Sequence, residues 1–466
     1  MSTMHRNCSL TLNWYEPLRL LRTKPYDYSL LSKQGLGPLS TVTLACPNFL
    51  NELTFRRGAI GMWLQSLNNG CSPDGAPAPD VALEGLSSLA ARLEGLFRAI
   101  AAAAGASGTD STVKPAAAAA GCITATAALT MGFMHSEWNS ALSRKPQRYL
   151  RLDCLPQELA MVYSAYGAAL RHSALQHYSQ GLLLGAVDTA GGAVSSGGDE
   201  SGGGDQQSAA AAAGLQAALT RAVAGLRRAA GVYGYLADEV LPALREVMAA
   251  AAAAAASRDW PLELLPAAAL CMKHLSLAEA QALVAAMAEL KGMSPGTQRA
   301  LHAGCVLLFR DAAVAAQELA AAAPLGLPLS DRLLVRFLPA ATALHAARSQ
   351  LCFAREQQAV MEMGQAEAAC EEGLRLLVSA AGCLDKRLDP ALWLELIQAE
   401  QATCSALHSA VHRDRLAITF QPLPKQPPDA LANPAIRVVP DVFQPEVVFP
   451  PAPPASAGNK GGCAIM

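Results

Sequence analysis

From Glu158 the chain places Leu159, Val162, Tyr166, Ala169 and Ser173 at helical spacing, so QELAMVYSAYGAALRHSALQHYSQ predicts a helix with one apolar face. Further on, Leu219, Val223, Leu226, Ala230, Tyr233, Ala237, Val240 and Leu244 recur in alternating four- and three-residue steps. That is the seam by which antiparallel helices pack on each other. A third helical stretch covers Leu262–Leu290 and is stopped by Gly292. Ser294–Pro295 then reads as a cap and first-turn proline for a helix through Phe309. A long pair is expected around Asp331–Val378, with Pro339 kinking or dividing it. The last helix opens at Asp389–Pro390, again a cap and first-turn proline, with Leu392, Leu396, Ala399, Thr403, Ala406 and Ala410 on one stripe.

Two segments break this pattern. GGAVSSGGDESGGGDQQ, Gly191–Gln207, is too polar and glycine-rich to build a core and predicts a disordered surface insertion, about 186–208. Beyond His412, eleven of the 29 prolines fall between Pro422 and Pro454, which predicts extended or polyproline structure. Ile418, Phe420, Ile436, Val438, Val439, Val442 and Phe443 are apolar enough that this segment is expected to lie across the helices and bury those side chains. The fold class expected is mainly α, an elongated helical domain over 1–449 with a flexible tail over 450–466.

Composition agrees. Hydrophobic residues make up 52% of the 466, much of it alanine, and aromatics only 5%, which favours helix over sheet. Charged residues are 16% and the net charge is −2, with no basic block, so nucleic acid is not an expected partner. The twelve cysteines show no CxxC pair and no grouping with histidine along the chain, so neither a disulfide framework nor a metal site is expected. Cys122, Cys271, Cys305 and Cys352 read as small core hydrophobes, in keeping with a reducing cytosolic compartment. MSTMHRNCSL carries no secretory signal pattern, and alanine runs such as Met248–Ala256 are too short and weakly apolar to span a bilayer.

Signatures of catalysis are missing: no GxxxxGK[ST], HExxH or GxSxG occurs, and His345 and Cys352 stand about two helical turns apart. No catalytic residue and no cofactor is expected. The end of the chain is different. CAIM fits the CaaX pattern, with Cys463 as the acceptor of a farnesyl group and Ala464, Ile465 and Met466 as the residues a prenyltransferase would read. The small, polar lead-in SAGNKGG is expected to leave this end accessible. Only Lys460 is close upstream, so a single lipid would give marginal, reversible attachment and a second membrane signal is required. The expected location is cytoplasmic, peripheral on cytosol-facing membranes.

The order of the helices also resembles the Bro (BRO-one) domain family, Alix-like, and within it the small prenylated proteins that consist of this domain alone. QELAMVYSAYGAAL looks like the family's "FNxAAL" helix, and RAVAGLRRAAGVYGYLADEVLPAL is similar to "AAGxFxxLKExxLPxL". AEAQALVAAMAELKGMSPGTQRAL looks like the "AQAQE" helix and its following turn. QLCFAREQQAVMEMGQAEAACEEGLRLL is similar to a tetratricopeptide-like hairpin, and RLAITFQPLPKQPPDALANPAIRVVP to the returning strap. The likeness runs from about Tyr26 to Phe449.

It implies a non-enzymatic adaptor, on endosomal or other cytosol-facing membranes, that takes the C-terminal amphipathic helix of an ESCRT-III subunit into an apolar groove. The groove positions it implies here are Val284, Ala285, Thr297, Gln298 and Leu301, of which Ala285 and Gln298 stand where the family favours large apolar residues. On the residues alone, Val284 and Leu301 read equally as core. A prenylated helical-repeat scaffold for another peptide is the alternative function, and an enzyme on a helical scaffold the third.

Overall fold

The computed structural model describes residues 21–34, 47–69, 79–103, 123, 126–127, 130, 134–191, 204–246, 259–324, 326–331 and 336–451. Nine α-helices occur among the described residues. They are α1 (Pro47–Asn69), α2 (Pro79–Ala103), α3 (Leu155–Gly191), α4 (Gly204–Tyr235), α5 (Pro266–Leu290), α6 (Pro295–Ala322), α7 (Leu338–Ala359), α8 (Met363–Gly382) and α9 (Ala391–Asp414). A short hairpin of β1 (Ser136–Asn139) and β2 (Tyr149–Leu152) precedes α3, with Trp138 opposite Leu150 in antiparallel register. Each helix packs chiefly on its neighbours in sequence, from α1 on α2 through to α8 on α9. Short connections such as Lys291–Ser294 and Val360–Glu362 fold successive helices back on each other. The result is the elongated, mainly α architecture expected.

Helix α3 is buried on nearly every side from Leu155 to Leu170, because α2 and α4 cover it from different directions. Its small side chains make that possible. The α4 seam also holds: Leu219, Leu226, Ala230, Tyr233, Ala237, Val240 and Leu244 are buried and Val223 is half-buried. A π-turn over Leu236–Val240 carries the helix on through residue 246. Gly292 ends the α5 turn at φ +62°, a left-handed conformation that favours glycine. Ser294 caps α6, its hydroxyl accepting from the Thr297 N–H at 3.3 Å.

Several expectations are corrected. Helices α3 and α4 extend over 186–191 and 204–208, since the alanine run that opens α4 is a strong helix former; 192–203 lie outside the described residues. Helix α6 continues past Phe309 to Ala322 because Ala312, Ala315, Ala316 and Leu319 keep its buried stripe going. Pro339 sits in the first turn of α7 and starts the helix, where its missing N–H costs nothing. Asp389 does not cap α9; its carboxylate accepts from the Asp385 N–H at 2.9 Å and pairs with Arg336 at 3.1 Å. The buried stripe of α9 is Trp393, Leu396, Ile397, Glu400, Cys404 and Val411, one position round from the expected one, because Trp393 dominates the packing against Phe337.

Beyond a second π-turn, Arg415–Thr419, the chain runs extended as a strap to Pro451. It recrosses the helices in reverse order. Gln421 Oε1 accepts from Gly364 N–H on α8, Ser349 Oγ of α7 donates to Ala430 O, and Ala435 N–H donates to Ala300 O on α6. Gln281 of α5 brackets Ala435 O and Arg437 N–H at 2.8 and 2.9 Å. Asp441 N–H donates to Arg227 O on α4, and Val448 N–H to Ala91 O on α2. Of the apolar side chains expected to be buried here only Val438 is, with Phe443 half-buried; Ile418, Phe420, Ile436, Val439 and Val442 face solvent, while the small Ala430 is fully buried. Backbone contacts hold an extended chain with alternate side chains pointing outward.

Candidate partner-binding face

The positions singled out on α5 and α6 lie together, but not as an open groove. Ala285, Ala288 and Leu301 form a small buried cluster between the two helices, with Val284 and the strap's Ala435 packed on it. Leu301 is 4% exposed and Ala285 not at all, so neither is available to a partner in this conformation. Leu301 and Ala285 share one small cluster with Ala288. Val284, Thr297 and Gln298 are half-exposed and form the accessible part of the face. Gln298 is anchored, its amide donating to Met293 O at 2.8 Å and its Oε1 standing 3.8 Å from Cys352 Sγ.

A second concavity of about 210 Å³ lies between α2, α3, α4 and the strap. Tyr166 and Arg228, joined by a 3.3 Å hydrogen bond, line it with Phe443 and Glu446. Tyr163, Tyr235 and Phe443 meet edge to face with ring centroids 5.5–5.7 Å apart, which seats the strap at this end. Burial, with Glu94 beside it, pushes the Tyr163 hydroxyl well above its ordinary pKa, so it stays a neutral donor to Glu94 at 3.2 Å.

Buried charge pairs, which sequence spacing did not reveal, brace the helices behind these surfaces. Arg171 of α3 donates to Glu279 of α5 at 2.7 Å, and Arg348 of α7 to Glu400 of α9 at 2.9 Å. Glu158 accepts from Tyr28, Ser136 and Trp138 at 3.1, 2.6 and 2.7 Å and pairs with Arg57, whose guanidinium stacks 4.6 Å over Trp138. The partners lie far apart in sequence.

The cysteines expected in the core are there: Cys271, Cys305 and Cys352 are buried, while Cys122 lies outside the described residues. Burial pushes the Cys271 and Cys352 thiols up to about 12, and Cys305 is also raised, so they are poor nucleophiles. Histidines and a cysteine that are not grouped along the chain do come together in space. His302, Cys305 and His345 converge in the core, and Glu367, Glu371 and His408 meet nearer the surface. Linear spacing hid the first group because 43 residues separate its histidines. Cys463, Ala464, Ile465 and Met466 lie outside the described residues.

No protein-family profile and no curated protein sequence matches the chain. Solved structures do match in fold. The BRO1 domain of ALIX in its complex with CHMP4C superposes with a TM-score of 0.56 at 15% identity, covering 92% of this chain and 96% of that one. ALIX in complex with the SIVmac239 PYKEVTEDL late domain gives 0.57 at 14% identity over 92% of this chain, which spans about half (49%) of that one. A Bro1 domain solved as the basis for endosomal targeting gives 0.57 at 12% identity, covering 91% and 92%. The chain therefore has the Bro1-domain fold.

Proposed function

We propose that the protein is a non-enzymatic adaptor that binds the C-terminal amphipathic helix of an ESCRT-III-type subunit in endosomal sorting or membrane remodelling. The observation that carries this reading is the fold shared over 92% of the chain with a BRO1 domain solved as a CHMP4C complex. On this protein the contact falls to the half-exposed Val284, Thr297 and Gln298, seated on buried Ala285 and Leu301. Burial raises the Cys271, Cys305 and Cys352 thiols, which suits them to packing and not to nucleophilic chemistry.

A farnesyl group on Cys463 is the second element of the proposal. Among the described residues no helix is long and apolar enough to cross a membrane. One lipid and one protein contact, each weak alone, together give durable attachment at cytosol-facing membranes.

The test is fluorescence anisotropy with a labelled CHMP4C C-terminal peptide. Val284→Asp, at a half-exposed position, should weaken binding at least about tenfold, roughly 1.4 kcal/mol. Leu301→Asp is unsuitable because it places a charge in the core. A peptide that does not bind, or binds the variant as tightly as the wild type, overturns the assignment in favour of a scaffold for another peptide. For the lipid, Cys463→Ser should shift the protein from the membrane to the soluble fraction; full retention on membranes removes that element.

A further inference from the structure

Three buried side chains from two helices meet beneath the α5–α6 face. His302 and Cys305 stand one turn apart on α6, and His345 faces them from α7; they are 1%, 0% and 3% exposed. Their ligand atoms lie within 4.8 Å of one another, and the two Nδ1 atoms are 3.2 Å apart. Phe309 stacks on His345 with centroids 5.5 Å apart and closes one side. Glu289 of α5 holds His302 from the other, its Oε1 3.1 Å from Nε2. Packing alone would be met by apolar residues of similar volume without the desolvation of two imidazoles.

We propose that His302 Nδ1, His345 Nδ1 and Cys305 Sγ ligate one Zn²⁺ ion. Two nitrogens and a sulfur suit a borderline-soft divalent ion. Nitrogen ligands about 2.05 Å from a tetrahedral zinc stand roughly 3.3 Å apart, close to the separation found here. The Glu289 carboxylate accepts from Nε2–H of His302 and so turns the Nδ1 lone pair into the site.

In the metal-free pair, His345 is then the Nδ1–H donor. Zinc binding moves that proton to His345 Nε2 and displaces the Cys305 thiol proton, so one proton leaves per ion. Two neutral imidazoles, a thiolate and Zn²⁺ sum to one positive charge, which Glu289 balances. Nearby Arg348 has its own counter-charge in Glu400. The fourth coordination position is left for water. The ion would tie α6 to α7 and, through Glu289, to α5.

Reduced full-length protein, stripped with chelator, is titrated with Co²⁺ as a spectroscopic substitute and then with Zn²⁺. Expected are one equivalent of tetrahedral d–d absorption with a sulfur-to-cobalt charge-transfer band, displacement of both by Zn²⁺, and a melting temperature that rises with Zn²⁺ concentration. Cys305→Ser should abolish the charge-transfer band and Cys352→Ser should leave it, each variant being checked for native circular dichroism. The Glu367, Glu371 and His408 group has no thiolate and cannot produce that band. Wild-type protein without the band overturns the site even if the variants misfold, as does a band that survives in folded Cys305→Ser or is lost with Cys352→Ser.

Discussion

At the scale of single residues, the interior is organised by a few carboxylates, each serving donors from several elements. Glu158 is the clearest: Arg57 from α1, Tyr28 from the preceding 3₁₀ turn, and Ser136 and Trp138 from β1 converge on one fully buried group. Glu158→Ala would leave a buried guanidinium without its counter-charge, and the expected loss is about 3–5 kcal/mol, read from urea unfolding. A loss below about 1 kcal/mol would show that the knot is dispensable. Glu367 makes a pH-dependent case. Burial alone would raise its carboxyl, but hydrogen bonds from Arg415 and His412, with their charge, hold it below the usual 4.5. A depressed folded value means this stabilisation is present above the ordinary glutamate range and is lost as pH falls through the folded value. Unfolding free energy measured from pH 6 down to about pH 3 should therefore fall less steeply in Glu367→Gln than in the wild type. None of these partnerships was legible from spacing, because the partners lie from twenty to more than a hundred residues apart. Ser294 and Gly292, whose roles are local, were legible.

Elements tell a similar story of local rules that hold until packing overrides them. Helix α6 continued past its expected end, and α9 turned its stripe by one position, because buried partners and not propensity set those limits. The strap shows the override most plainly. Its proline content predicted an extended chain, yet apart from Phe443, Val438 and the small Ala430 and Ala435 its apolar side chains do little to hold it. At its crossings the helices present Gly364, Gly304, Gly231 and Gly95, and a Cβ at each would meet the strap's backbone. At Gly304 that Cβ would stand 2.5 Å from Ala435 O, beside the Gln281 bonds. Gly304→Val should therefore lift the strap locally at a cost of about 1–3 kcal/mol. Faster hydrogen exchange at the Ala435 amide, which donates to Ala300 O, would report it. Unchanged exchange there would mean that α6 moves instead of the strap.

For the whole molecule, helices that touch mainly their sequence neighbours behave as a one-dimensional stack, in which stability is a sum of neighbouring interfaces and the two ends need not unfold together. The order of loosely matching motifs was enough to read this architecture from sequence, even though the sequence is only 12–15% identical to structures of the same fold. What that order could not convey was how the two ends are coupled. The strap supplies the coupling: one extended segment bonds to α8, α7, α6, α5, α4 and α2 in turn. Ending the chain after Phe420 removes all of these bonds at once, at about 1 kcal/mol each, and takes away the segment that bonds directly to both α8 and α2. The truncated protein should melt at lower temperature and over a wider range, with separate transitions for probes placed near Trp138 and Trp393, two buried tryptophans in different parts of the stack. A single transition as sharp as that of the full chain would show that the neighbour interfaces already couple the stack, and that the strap only covers it.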